Sequence, residues 1–410
     1  MANRVATSRH SVVVIGGSLV GLIAGNLFHR MGWDTRVFER TTGVLEGRGA
    51  GITILPGLVE AFQAAGVNEE RYGIELPERI ALDASGRIVA RRAFSQEMTS
   101  WRRLYDFLKA VFPAERYHSG MTLERVEQTP DKVTACFSGG ERVAADLLIA
   151  ADGLRSTVRS QFLPELKPFY PGYVAWRGLA DESELSASAH ALLFDRYTVC
   201  VAPGEQGIGY PVPGPGHSME PGRRQYNVVW YHPIEEASEL PRLLTDHTGR
   251  YHANGIPPSL IRAGVREEMS ALAREVLAPQ LAEAIERARL VFFQPIVDLE
   301  SPRLVFGRVV VIGDAAFTAR PHVAMGVPKG GGDAIALAEA VKRSGDDYLS
   351  GLQALEAERL RIGGAIVARG RYLGSYMESQ LKSEEERRHA ELARVPEQVM
   401  METAAPMRFD

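Results

Sequence analysis

A glycine-punctuated strand–helix–strand unit at residues 11–40, a tract of short aromatic and β-branched segments at 170–231, and helical periodicity through 350–382 together predict an α/β fold. The expected architecture is a Rossmann-like nucleotide-binding domain with an inserted antiparallel β-sheet domain and C-terminal helices. The 410 residues suffice for two or three such units. Shifts in residue character place the nucleotide-binding domain at 1–80, 101–169 and 301–345, and a β insertion at 81–100. The β-sheet domain falls at 170–300, and a terminal helix and tail at 346–410.

The first unit carries the most chemistry. Val12, Val13, Val14 and Ile15 form an unbroken apolar run, the pattern of a parallel strand buried on both faces. Gly16 and Gly17 end it, and Leu19, Leu22, Ile23, Leu27 and Phe28 then recur at helical spacing until Gly32. A second strand, 35–38, leads into Glu39 and Arg40. A strand, a glycine turn, a helix and a distant acid form the dinucleotide-binding fingerprint. The helix N-terminus receives a pyrophosphate and the acid takes ribose hydroxyls. Here G-x-G-x-x-G reads Gly16-Gly17-Ser18-Leu19-Val20-Gly21, with Ser18 in the second glycine place. A serine still permits close backbone approach and adds a hydroxyl donor.

Residues 41–54 read as a glycine-rich mobile loop around Arg48, which is placed to cover the nucleotide phosphates, and a helix starts near Pro56. Residues 80–94 alternate as strands around the turn Ala84-Ser85-Gly86 and leave the first sheet. A helix over 101–111 is stopped by Pro113, and two strands flank Thr129-Pro130-Asp131. A second ligand signal follows, where the apolar strand through Ile149 and Ala150 runs into Asp152-Gly153 and a helix opened by Ser156 with Arg155 and Arg159 nearby. Within 170–231, segments around Trp176, Tyr197, Tyr210 and Trp230 predict a separate antiparallel sheet, and one helical stretch over 267–289 is expected to brace it.

Residues 309–312 form another buried strand, running into Gly313-Asp314. Pro321, His322, Gly326 and Gly330-Gly331-Gly332 follow as a glycine-rich loop before Asp333 and a helix through Leu337. An acid at the carboxyl end of a parallel strand beside such a loop is where α/β sheets bind ligands. One bound molecule is therefore expected to touch both ends of the chain. The tail after Ser383 is charged and expected to fray.

Residues 16–21 with Glu39 and Arg40, Asp152-Gly153 with Arg155, and Gly313-Asp314 together resemble the FAD-dependent aromatic hydroxylases. These are the single-component flavin monooxygenases built like p-hydroxybenzoate hydroxylase, and the resemblance spans nearly the whole chain. It implies that the nucleotide-binding domain holds FAD. The pyrophosphate falls on Gly16, Gly17, Ser18, Leu19 and Gly21, the ribose on Glu39 with Arg40, and Arg48 lies over the phosphates. Asp152 and Gly153 serve both FAD and the nicotinamide, Asp314 takes the ribityl chain, and Gly326 lies in the flavin loop. The chain departs from the family pattern at Trp101, where arginine is usual, at Ala324 for a glycine, and at Pro328 for an asparagine.

The implied reaction is reduction of FAD by NADH or NADPH, formation of a C4a-hydroperoxide with dioxygen, and hydroxylation of an electron-rich aromatic ring. Within the family, Gly16-Gly17-Ser18, Gly49-Ala50-Gly51-Ile52, Gly172-Tyr173-Val174-Ala175-Trp176-Arg177-Gly178 and Arg320-Pro321-His322 are similar to the members acting on hydroxylated pyridines. Phenol or hydroxybenzoate hydroxylation and a non-catalytic flavin-binding module are the alternatives. His322 is the expected base, since histidine has a suitable pKa for taking a ring hydroxyl's proton, with the Pro321 carbonyl as acceptor and Tyr210 as relay.

With a net charge of -4 and no basic run, a nucleic-acid partner is not expected; small aromatic substrate and dioxygen are. Only Cys136 and Cys200 are present, without metal-ligand spacing, so no metal and a reducing cytoplasmic setting are expected. A membrane span is not expected either, and the oligomeric state is left open, a homodimer included.

Overall fold

The computed structural model describes residues 10–43, 51–253, 255–377, 383–392 and 394–409. In chain order, Ser11–Ile15 (β1), Leu19–Arg30 (α1) and Asp34–Glu39 (β2) form the predicted unit. Gly51–Ile54 (β3), Pro56–Ala64 (α2), Ile74–Leu82 (β4), Ile88–Ser100 (β5) and Trp101–Ala110 (α3) follow. Next come Tyr117–Ser119 (β6), Leu123–Gln128 (β7), Val133–Phe137 (β8), Arg142–Ala145 (β9), Leu147–Ala150 (β10) and Thr157–Phe162 (α4). The middle of the chain gives Tyr173–Asp181 (β11), Ala187–Leu193 (α5), Arg196–Ala202 (β12), Glu205–Val212 (β13), Gln225–Pro233 (β14), Glu239–Leu243 (α6), Ala263–Val276 (α7), Pro279–Glu286 (α8) and Leu290–Pro295 (β15). The last part gives Leu299–Glu300 (β16), Val305–Phe306 (β17), Val309–Val311 (β18), Phe317–Thr318 (β19), Gly326–Ser344 (α9), Tyr348–Gly374 (α10), Glu384–Leu392 (α11) and Pro396–Glu402 (α12). Among these residues no helix is long and apolar enough to cross a membrane.

Among the described residues one sheet has the order β17-β18-β10-β1-β2-β6, with β18, β10, β1, β2 and β6 parallel. Val12, Val13 and Val14 at its centre are at most 1 % exposed, as an unbroken apolar strand requires. Three strands from the beginning, middle and end of the chain thus put their carboxyl ends side by side. The second sheet has the order β15-β11-β14-β13-β12-β4-β5-β3. One of its faces, with Val174, Trp176 and Trp230, packs under α5, α6, α7 and α8. The other, with Tyr173, Tyr197, Tyr210 and Tyr231, faces the nucleotide-binding layer and the C-terminal segment.

Five expectations change. The expected loop over 41–54 ends earlier, because Gly51–Ile54 pairs antiparallel with β5 (Gly51↔Ser100), a partner local sequence does not reveal. The second sheet is not purely antiparallel, since β4 runs parallel to β12 through Arg79↔Tyr197. The helical stretch over 267–289 is two helices, broken where Pro279 opens α8.

The glycine triplet 330–332 lies within α9, not in a loop. A Cβ on Gly330 would sit 2.4 Å from Val20 Cγ2, and one on Gly331 2.5 Å from Ala61 Cβ. These glycines let α9 pack closely on α1 and α2, and that contact offsets their poor helix propensity.

The charged tail also differs from expectation. Val399 and Met400 of α12 are buried against the second sheet, where Arg79 is fully buried on β4. The Arg79 guanidinium donates to the carbonyls of Met400 (2.8 Å), Thr403 (2.7 Å) and Ala404 (3.0 Å), and its Nε donates to Gln96 (2.9 Å). A buried cation is therefore met by the carbonyl end of a helix rather than by a carboxylate. Arg79→Met leaves those carbonyls without a donor. The expected result is a loss of about 3 kcal/mol in urea unfolding, from two or more charge-assisted bonds at roughly 1.5–3 kcal/mol each.

Candidate active site

The first motif is shaped by close backbone approach. Gly16 has φ +102°, and a Cβ there would lie 2.3 Å from the Ala151 carbonyl oxygen. A Cβ on Gly21 would lie 1.8 Å from the Gly16 carbonyl oxygen. Both positions exclude a side chain. Ser18 stands at the N-cap of α1 in extended conformation and its hydroxyl makes no capping bond, so the first-turn N–H groups have no side-chain cap. Leu19 contributes its backbone to that turn while its side chain packs in the core at 2 % exposure.

Glu39 is buried at the end of β2. It accepts from the N–H of Gly17 (2.8 Å) and of Thr41 (3.0 Å), which aims the carboxylate across the glycine turn. Arg40 is exposed beside it. Arg48 lies outside the described residues.

At the end of β10, one Asp152 carboxylate oxygen accepts from Thr157 N–H (2.8 Å) at the start of α4, and the other is buried with no partner among the described residues. Burial raises its pKa above the ordinary aspartate value. Gly153 turns the chain with φ +75°. Arg159 on α4 donates to the Ala315 carbonyl (3.0 Å), tying this motif to the third one. There, Gly313 has φ +64° and its N–H donates to Asp333 (3.0 Å), itself paired with Arg359 (2.7 Å). Asp314 stands half exposed, with Lys329 Nζ 3.4 Å from its carboxylate and only 1 % exposed. Gly326 opens α9, another helix start with no side-chain cap.

These features fit an FAD. Two uncapped helix starts suit a pyrophosphate and an electron-rich ring edge, and Glu39 and Asp314 suit hydroxyls. The unpartnered Asp152 oxygen also calls for a donor that the described residues do not supply.

Packed against the second sheet from the turn Pro321–Val323, His322 is 1 % exposed. Its Nε2 lies 3.0 Å from the Tyr173 hydroxyl, its Nδ1 is buried without a partner among the described residues, and its ring centroid is 4.2 Å from that of Tyr231. It is not the freely titrating base that histidine's ordinary pKa suggests. Burial, followed by the positive charges of Arg320 and Arg177, lowers its pKa to about 3, so the imidazole is neutral. The Pro321 carbonyl already accepts from Ala324 N–H (2.9 Å), and Ala324 takes the left-handed conformation (φ 52°) that favours glycine.

Tyr210 stacks on Tyr197 with centroids 5.5 Å apart, and burial raises both phenol pKa values. Ala404 N–H donates to the His322 carbonyl (2.8 Å), so the Arg79-held tail also fixes this turn. Sequence reasoning did not single out the roles of Lys329, Tyr173, Tyr231, Asn227 or the side chain of Arg177. Period-2 alternation on β11 and β14 was the available signal, but it does not say which face is inward.

A family profile described as FAD binding domain-like matches residues 170–298. The chain is 31% identical over 373 residues to 2,6-dihydroxypyridine 3-monooxygenase of Paenarthrobacter nicotinovorans, covering 90% of this chain and 91% of that protein. It is 26% identical to 3-hydroxybenzoate 6-hydroxylase of Polaromonas naphthalenivorans, covering 90% and 88%. The solved structure of 2,6-dihydroxypyridine-3-hydroxylase from Arthrobacter nicotinovorans superposes with a TM-score of 0.85 at 28% identity, over 92% of this chain and 96% of that one.

Proposed function

We propose, from the premise that this chain belongs to the FAD-dependent aromatic monooxygenases, that it hydroxylates a hydroxylated pyridine or a related N-heterocycle. The identity to the dihydroxypyridine monooxygenase over nine-tenths of both chains carries the substrate class. FAD when bound supplies the redox chemistry, taking electrons from NAD(P)H and activating dioxygen.

The protein's part is binding, orientation and exclusion of water. In this reading, Gly16, Gly17, Ser18, Leu19 and Gly21 hold the pyrophosphate on the α1 start, with Glu39 and Arg40 at the ribose and Arg48 over the phosphates. Asp152, Gly153, Asp314 and Gly326 hold the remainder of the cofactor. Lys329 orients the Asp314 carboxylate, leaving its other lone pairs for hydroxyl donors.

The substrate ring lies between Pro321 and His322 of the turn and Tyr210 on the inward face of the second sheet. A neutral His322 serves best as a hydrogen-bond partner that draws on a ring hydroxyl's proton, with the Tyr173 hydroxyl behind Nε2 to accommodate the change. Burial of His322, Tyr231 and Tyr210 keeps water from the reacting face. Two free, buried thiols, Cys136 and Cys200, fit a reducing cytoplasm.

The test is NADH oxidation by the purified holoprotein in air, with and without 2,6-dihydroxypyridine. Strong stimulation with little peroxide is expected. Stimulation by 3-hydroxybenzoate and not by the pyridine would replace this substrate class with a phenolic one. No stimulation by any aromatic compound would point to a non-catalytic flavoprotein.

A further inference from the structure

Among the described residues, the buried polar atoms without a partner on the inward face of the second sheet, against which His322 packs, include Arg177 Nε and Asn227 Nδ2. Arg177 on β11 shares its face with Tyr173, and Asn227 on β14 shares its face with Tyr231. The register sets Leu179 opposite Asn227, and Asn227 opposite Tyr210 on β13. The Asn227 amide is oriented by its oxygen, which accepts from Gly51 N–H at 3.0 Å, so its NH2 group is the free end. Arg177 acts electrostatically on His322, Tyr231 and Tyr210, which places its charge among the three aromatic rings.

Both groups are donors, and the charge on this face is positive. Arg320, behind His322, is matched by Asp298 (3.0 Å), which also takes Arg371 (2.9 Å). Among the described residues no carboxylate pairs with Arg177 in this way. A buried donor without an acceptor is costly, more so when charged, so a face built this way is completed by a ligand that brings acceptors and negative charge.

We propose that Arg177 and Asn227 anchor an anionic oxygen of the ring substrate, so that the enzyme selects the ionised form of a hydroxylated heterocycle over neutral aromatic compounds. This rests on the hydroxylase reading and deepens it. An ionised ring oxygen also makes the ring a better nucleophile, so the anchor that confers affinity favours the reactive form. Holding the oxygen at Arg177 leaves any second ring hydroxyl to His322.

The experiment titrates oxidised holoenzyme with 2,6-dihydroxypyridine, without NAD(P)H, and reads the flavin absorbance change for wild type, Arg177→Gln, Arg177→Lys and Asn227→Leu. FAD content is measured for each. The expected result is full FAD in Arg177→Gln, a Kd raised at least tenfold, partial recovery in Arg177→Lys and a smaller loss in Asn227→Leu. Wild-type affinity should rise as the ligand hydroxyl ionises, and Arg177→Gln should lose that rise. Unchanged affinity and pH response in Arg177→Gln overturn the proposal. Loss of flavin from Arg177→Gln also overturns it, because Arg177 then belongs to the cofactor. If wild type binds 3-hydroxybenzoate but not the pyridine, and Arg177→Gln loses that anion, the anchor stands while the pyridine reading falls.

Discussion

Gly21→Ala yields a colourless protein: FAD affinity is expected to fall by at least about 100-fold, the equivalent of about 3 kcal/mol. The added Cβ would lie 1.8 Å from the Gly16 carbonyl oxygen, which is backbone and cannot rotate away as a side chain end does. Relief requires α1 to move off β1. That displaces the first-turn N–H groups and breaks the Gly17 N–H bond to Glu39 at 2.8 Å. Alanine is the better helix former by roughly 1 kcal/mol, so propensity predicts the opposite sign and the close approach decides. The ratio of flavin to protein absorbance checks the loss, and circular dichroism checks that the fold persists.

His322→Gln keeps FAD and loses hydroxylation. We expect product formation to fall by roughly 100-fold or more, the usual range for removing a proton-transfer partner, with NAD(P)H electrons diverted to hydrogen peroxide. Product and peroxide assays on the same reaction mixture measure the split. The substitution also carries a stability signature. The folded pKa is lowered to about 3, against about 6.5 for an exposed histidine, so between those values the unfolded chain holds a proton that the native chain does not. The wild type is thus most stable above the unfolded value and weakens as pH falls. From pH 6.5 to 5 the group removes about 2 kcal/mol from wild type and nothing from the glutamine variant. Urea melts at the two pH values read the difference, and equal losses in both proteins would show that His322 titrates normally.

The glycine turn, Glu39, Asp152-Gly153 and Gly313-Asp314 were legible because each is a local arrangement. A strand end, a turn and a helix start are encoded within about ten residues, and their spacing follows from α/β geometry. The same local logic misread residues 330–332. A glycine triplet signals a loop when only its neighbours are considered, whereas here it admits Val20 and Ala61 across two helix contacts.

The sequence by itself determined the α/β class, the three strand-end motifs and the flavin monooxygenase resemblance, since those depend on short-range pattern and order. Tertiary structure decided which face of β11 and β14 points inward, and hence that Arg177 and Asn227 share a face with Tyr173 and Tyr231, the rings beside His322, because a strand's alternation has no direction until its partners fix it. It also decided that the tail docks, with Arg79 bonded to carbonyls more than 300 residues away. Finally, it decided that His322 is neutral, since a pKa belongs to an environment and burial is a property no stretch of sequence contains.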